Sequence, residues 1–349
     1  MINFSRVPDG GRPSLRKGDM KLLRRNLVIA LCLGTLVATG SGPAALADRR
    51  QDPATSSHRS ADLVIPGDNF HPESVAATPD GTVFASSIVT GEIVRFRPGS
   101  TTAQTFLPAG VNLGTAGVLA DPRRGVLWAC AIDLSFQTPT VLQAYRLSTG
   151  RLEAAYTLPD GGVCADITLA QGAVYLTDTT NPTATPQPPG RILRLATPNP
   201  LTASGGKLSV WSQDPAFTSG AGLQINGIAF DGARSLYTTN YNSGELIKVD
   251  IAPDGTARPA QVVDLGKRFV NPDGIRMLDR DHLLVPENPG PLSVVDVRRR
   301  TATVVTSLDQ PSSVAVTGSS VYVAEGQIPR LQTGQQPNLP FKVRRLPAP

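Results

Sequence analysis

The sequence predicts an all-β fold, a six-bladed β-propeller whose ring is closed by an N-terminal strand. Three observations predict it. A unit of strand, tight turn and strand recurs roughly every 45 residues, a period that belongs to propeller blades. The 33 Gly and 31 Pro are spread between apolar runs instead of gathered in one block, as turns are in an all-β chain. No segment beyond residue 47 sustains helical periodicity.

Residues 1–47 read as a signal peptide and not as part of the fold. Met20-Lys-Leu-Leu-Arg-Arg forms a basic start, and Met20 is an alternative initiator. Leu27–Val37 is apolar but short for a bilayer span, so no stable membrane anchor is expected. Ala45-Leu46-Ala47 supplies the small-x-small cleavage site ahead of Asp48. The pair Arg24-Arg25 lacks the Ser or Thr that precedes it in a twin-arginine signal, which favours the general secretory route. The expectation is export, to a periplasm or the extracellular space. Residues 48–60 are polar and read as a flexible leader. Residues 61–349 read as the propeller domain.

Seven of the 33 basic side chains and two of the 28 acidic ones lie in residues 1–47. The remaining 302 residues carry 26 of each, so the pI of 9.3 belongs to the precursor. A neutral domain has no footprint for nucleic acid.

The units follow in order, each an inner strand, a turn, a second strand and a third strand. Unit one is Ser74–Ala77, Val83–Ser86 and Glu92–Phe96, turning at Pro79-Asp80-Gly81, where Gly tolerates positive φ. Unit two is Ala116–Ala120, Val126–Cys130 and Val141–Tyr145; its middle run is apolar throughout, as in a strand buried on both faces. Unit three is Asp166–Leu169, Val174–Thr177 and Arg191–Leu195, and unit four Gly227–Phe230, Ser235–Thr238 and Glu245–Val249. Unit five is Gly274–Leu278, His282–Val285 and Leu292–Val295, and unit six Ser313–Val316, Ser320–Val323 and Phe341–Val343. Unit six lacks an outer strand, and Ala61–Ile65, ahead of unit one, is placed to supply it. Closure of this kind removes the sheet edges that invite aggregation.

In such a ring the starts of the inner strands share one face with the ends of the second strands. Glu73, Asn226 and Asp273 sit at matched strand starts in units one, four and five, and would meet around one opening. Asp133, Asp178, Asn240, Asn242, Glu287 and Glu325 would stand near the same mouth. Any one of these alone reads as a strand cap or turn former. The register-matched three read as a site for one divalent cation. Oxygen donors suit Ca²⁺ first, with Mg²⁺, Mn²⁺ or Zn²⁺ as alternatives. Only three His occur, and there is no His-x-His or Cys-x-x-Cys pair. A Gly-x-Ser-x-Gly elbow is absent, which disfavours a serine hydrolase.

The chain from Glu73 to Val323 resembles the senescence-marker-protein/gluconolactonase family of six-bladed propellers, with paraoxonases as more distant relatives. The resemblance rests on the unit rhythm and on Glu73, the Asn226-Gly-Ile strand start and the Pro-Asp273-Gly strand start. It implies that Glu73, Asn226 and Asp273 are the metal ligands. It also implies hydrolysis of a small-molecule lactone or ester, with the cation polarising the carbonyl and activating water. Asp273, with Glu73, would be the catalytic carboxylate. Relatives carry Asn-Asp at the start of the third inner strand, whereas this chain has Ala165-Asp166, and Val163 stands where some sugar-lactone hydrolases have Arg. These departures point away from aldonolactones and towards a more apolar lactone or ester.

Asp166, His71, Asn240 and Glu287 are the expected substrate-binding residues. Cys130 ends a second strand and Cys164 begins the next inner strand, so the two form a disulfide or remain buried thiols. Two long loops, Thr179–Gly190 and Gly326–Leu339, lie on the mouth face as insertions or as a lid. Two other functions stay open: an exported propeller that binds a protein or glycan without catalysis, and a metal-free propeller of the strictosidine-synthase or lyase type.

Overall fold

The structure is a computed structural model that describes residues 61–196, 199 and 205–349. The expected signal peptide with its alternative start at Met20, and the expected leader 48–60, lie outside the described residues. From Ala61 onward the chain builds six four-stranded antiparallel sheets, the blades of a six-bladed β-propeller. In five of them chain order is also spatial order from the axis outward.

The inner strands are Pro72–Ala77, Gly114–Asp121, Cys164–Ala170, Ile225–Phe230, Arg276–Met277 and Ser313–Thr317. All six coincide with the predicted unit starts. The sixth blade is completed by Leu63–Ile65, which pairs with Phe341–Val343, so the N-terminal strand closes the ring as expected. Each of the first five blades also has a fourth strand: Gln104–Leu107, Leu152–Thr157, Leu208–Ser212, Gln261–Val263 and Thr301–Ser307. These carry little apolar pattern because they form the exposed rim; Thr301–Ser307 buries no residue at all. Helix among the described residues is confined to Ile328–Gln332 and two short 3₁₀ turns. No helix among them is long and apolar enough to cross a membrane.

The apolar core is divided between the blade interfaces. Val126, Trp128 and Cys130 pack with Ile167, Val174 and Leu176 of the third blade. Leu127 and Ala129, the alternate residues of the same strand, pack with Ala76 and Phe84 of the first. Side chains alternate across a strand, so one continuous apolar run serves two interfaces. At the closure, Leu63 and Ile65 pack with Val75, Phe96, Tyr322 and Phe341.

Cys130 and Cys164 form a disulfide between blades two and three, with a Cα–Cα distance of 5.7 Å. Both residues are fully buried. Closing a loop of this sequence separation of 34 contributes about 3–4 kcal/mol in the chain-entropy account. Alkylation of the denatured, unreduced protein should therefore leave both Cys unlabelled. Reduction should lower the unfolding midpoint by several degrees. Free thiols in the folded protein purified without reductant would contradict this.

Candidate functional site

The inner strands converge on the axis, and four of them break register there. The irregularities fall between Pro72 and Ser74, Thr115 and Val118, Cys164 and Ile167, and Ile225 and Ile228. Each bulge re-aims the side chain it contains. Glu73, Asp166 and Asn226 all lie in such bulges, while Asp273 precedes the two-residue inner strand of blade five. Glycines allow the close approach: a Cβ on Gly227 would stand 2.3 Å from the Asp273 carbonyl oxygen, and one on Gly117 2.5 Å from that of Ala165. The Gly after Asn226 thus serves neighbouring backbone, not a turn.

Around the axis, Glu73, Ser74, Ala165, Asp166, Asn226, Asp273, Gly274, Ser312 and Ser313 enclose a cavity of about 10 Å³. That is the space of roughly one water molecule or one ion. Glu73, Asn226 and Asp273, from blades one, four and five, meet here.

Asp273 is buried, and its carboxylate is held on both oxygens. Asn226 Nδ2 donates to Oδ1 at 2.9 Å, and Asn288 Nδ2 donates to Oδ2 at 2.9 Å. Asn288 is oriented in turn by Tyr241, whose hydroxyl donates to Asn288 Oδ1 at 2.7 Å. Burial pushes the Asp273 pKa up to about 7; the Asn288 hydrogen bond opposes this and the Asp166 charge adds to it. Glu73 is held well above the usual carboxylate range by burial, then by the charges of Asp273 and Asp166. Its Oε2 is enclosed with no hydrogen-bond partner among the described residues. Burial and the same two carboxylates, Asp273 and Glu73, raise the Tyr241 hydroxyl as well.

Asp166 lines the cavity, but its carboxylate is fully occupied. Arg276 grips it with NH1 on Oδ2 at 2.7 Å and NH2 on Oδ1 at 2.9 Å. The amides of Ile167 and Ile228 donate to the same two oxygens at 2.8 and 3.1 Å. Four donors satisfy a carboxylate, so Asp166 has no oxygen to offer substrate.

The other expected mouth residues are spent elsewhere. His71 is buried, its Nδ1 3.1 Å from the Gly326 carbonyl oxygen and its ring tilted against Phe341. It is absent from the cavity lining, and burial lowers its pKa. Asn240 Oδ1 accepts from the Ser219 hydroxyl and from the amides of Asn242 and Ser243, fixing a turn. Glu287 accepts from the Val270 amide at 2.8 Å and pairs with Lys267 at 3.4 Å. Asp133 caps a turn through Ser135 and Thr138, Asn242 ties down Ser219 and Ala221, Asp178 pairs with Arg191, and Glu325 lies beside Lys342 and Arg344. None of them lines the cavity.

Tyr241 and Asn288, the residues that do support Asp273, each lie one position beyond a residue chosen from sequence. Both stand in turns just past the second strands Ser235–Asn240 and His282–Pro286, where the turn and not strand alternation sets the direction of a side chain. Among the described residues, no cluster of three or more His, Cys, Asp or Glu side chains is arranged to hold a metal ion. The cavity instead offers two carboxylates and an amide. With Nδ2 spent on Asp273, Oδ1 of Asn226 is the atom left to offer a cation. An orphaned buried carboxylate oxygen beside a second carboxylate, in a space of one ion, fits a hard divalent cation.

No protein-family model matches the sequence, and no curated protein matches it. Solved structures do match in three dimensions. One is a protein named as a candidate gluconolactonase, with a TM-score of 0.59 and 17% identity over 76% of this chain and 87% of that one. Another is a luciferin-regenerating enzyme, with a TM-score of 0.58 and 13% identity over 82% and 94%. A third is regucalcin from Agrobacterium tumefaciens, described as a calcium-binding protein, with a TM-score of 0.54 and 15% identity over 83% and 97%. Structures of the kind the sequence resembles are therefore among those it matches, and at these identities the shared property is the six-bladed propeller fold.

Proposed function

We propose that this chain is an exported, cation-dependent hydrolase of a small lactone or ester, with its site at the axial cavity. The observation that carries this reading is the unpartnered Glu73 Oε2 beside Asp273 in a cavity of about 10 Å³. Two buried carboxylates, both held above their usual range, are relieved by a proton or by a cation. The named relatives lend support: one is a candidate gluconolactonase and another is described as calcium-binding.

Glu73, Asn226 and Asp273 would hold the cation, Ca²⁺ in the first instance. Such a cation supplies Lewis acidity that polarises a carbonyl and acidifies a bound water. The protein's own groups do the rest. Asn226 and Asn288 fix the Asp273 carboxylate in one orientation, and Tyr241 fixes Asn288. Asp273, oriented on both oxygens, would be the carboxylate that takes the proton. Ala165 lines the cavity where the resembling enzymes carry an amide side chain, so a polyhydroxylated sugar lactone finds one donor fewer. Ala165→Asn restores that amide and should shift preference towards polar lactones.

A metal-free acid–base enzyme is the second reading, and one observation favours it. An Asp273 pKa of about 7 is the range of a general base at neutral pH. A chelator and a pH series separate the two. Glu73 and Asp273 are both raised in the fold, so without a cation their stabilising contribution is complete below about pH 4. It is then lost as pH rises through about 7. The chelated protein should show an unfolding midpoint that falls between pH 5 and pH 8, and Ca²⁺ should raise that midpoint more at pH 8. A screen over alkyl lactones and aryl esters should find turnover that the chelator abolishes. Turnover that survives chelation and titrates near pH 7 would establish the second reading. Protein inert on every substrate and indifferent to Ca²⁺ would leave a binding propeller.

A further inference from the structure

The axial ion pair between Arg276 and Asp166 has no part in the reading above, yet it sits directly against the cavity. Asp166 belongs to blade three and Arg276 to blade five, 110 residues apart in sequence. The pair is nearly closed to solvent, with side-chain exposures of 13% for Arg276 and 3% for Asp166. Arg276 NH1 also donates to the carbonyls of Ile275 and Ile228, at 2.6 and 3.3 Å. Asp166 lines the cavity alongside Glu73 and Asp273, whereas Arg276 does not. Arg276 opens the inner strand of blade five, three residues past Asp273 in the chain.

Three carboxylates therefore converge on the axis, and one of them, Asp166, is neutralised by Arg276. Its four acceptor positions are filled by two guanidinium donors and two backbone amides. A buried carboxylate released from such a grip would be an unpaired anion beside the ion-sized space, with strong reason to take a cation.

Resting on the cation-site reading above, we infer that Arg276 is the residue that sets the charge of the site: by claiming Asp166 it leaves two carboxylates facing the cavity and tunes it to a divalent cation of limited affinity. With the carboxylates ionised, as cation binding requires, the four groups of the wild type sum to −2, which one divalent cation balances. Without Arg276 they sum to −3, and Asp166 has oxygens free for ligation. The site would then bind Ca²⁺ more tightly and shift further towards trivalent ions.

The test measures ion binding and needs no substrate. Ca²⁺ affinity is measured by calorimetry and Tb³⁺ affinity by luminescence, on wild type, R276M, D166N and D166N/R276M, each checked for β-structure by circular dichroism. R276M should bind Ca²⁺ at least tenfold more tightly than wild type and favour Tb³⁺ over Ca²⁺ more strongly, since Coulomb energy scales with the product of the charges. D166N keeps the cation and loses its partner, so it should bind Ca²⁺ at least tenfold more weakly. The double variant restores the wild-type charge and should return to within about threefold of it. If R276M does not fold, the opposite shift in D166N and its reversal in the double variant still decide the matter. Wild-type binding with R276M and D166N both unchanged would overturn this inference and leave the cation-dependent hydrolase standing. If wild type binds no ion, that hydrolase fails instead. The inference then survives only if R276M gains Ca²⁺ binding that D166N/R276M lacks.

Discussion

Asp273→Ala should abolish both cation binding and hydrolysis while leaving the propeller folded. The substitution removes one of the two carboxylates that face the cavity and the anchor for two amides, Asn226 Nδ2 and Asn288 Nδ2. Leaving two buried donors unpaired costs about 1–3 kcal/mol each, partly offset because a buried carboxylate is also removed. Typical domain stability absorbs that loss. Cation affinity has no such reserve, because Glu73 alone cannot balance a divalent charge. A fall of more than about 100-fold in Ca²⁺ affinity is expected, beyond that of losing a supporting hydrogen bond. Glu73→Gln should do less, since an oxygen donor stays and one charge goes. Asn288→Ala should weaken binding by about 10–100-fold through the freed Oδ2 of Asp273. Calorimetry with Ca²⁺, with circular dichroism as the fold control, checks all three. Undiminished Ca²⁺ binding by folded Asp273→Ala would remove the site from the axis.

Deleting Ala61–Ile65 should be the most damaging change to stability. This segment is the outer strand of blade six and the clasp of the ring. Leu63 and Ile65 are both buried in the interface between blades six and one, worth about 1.5–3 kcal/mol each. Asp62 adds a contact of 3.0 Å to Arg344, which also approaches buried Glu325 at 3.6 Å. Loss of the strand exposes Phe341–Val343 as a free edge, so aggregation should accompany the lower midpoint. Differential scanning calorimetry and light scattering provide the readout. A truncated protein with the wild-type midpoint and no aggregation would mean that closure does not depend on this strand.

The ring was legible in the sequence because its cause is local. Runs such as Val126–Cys130 carry period-2 or continuous apolar character, and turns at Asp-Gly and Pro-Asp-Gly separate them. The meeting of Glu73, Asn226 and Asp273 followed from the same register. The outer strands of the first five blades were not legible, because rim strands bury little and need no apolar code.

What the sequence by itself determined is thus the number of blades, the closing strand and the three residues that share a strand-start position. The tertiary structure alone decided which way each side chain points. Bulges in three inner strands turn Glu73, Asp166 and Asn226 onto the axis, and a bulge is a relation between two strands, not a property of one. Asn240 and Glu287 looked eligible, yet Tyr241 and Asn288 serve Asp273, because both stand in turns past the strand ends, where the turn sets the direction of a side chain. Arg276, unremarkable in its strand, becomes the counter-charge of Asp166 only when blades three and five meet across the axis. Convergence of residues 110 positions apart is set by ring closure, and no local pattern encodes it.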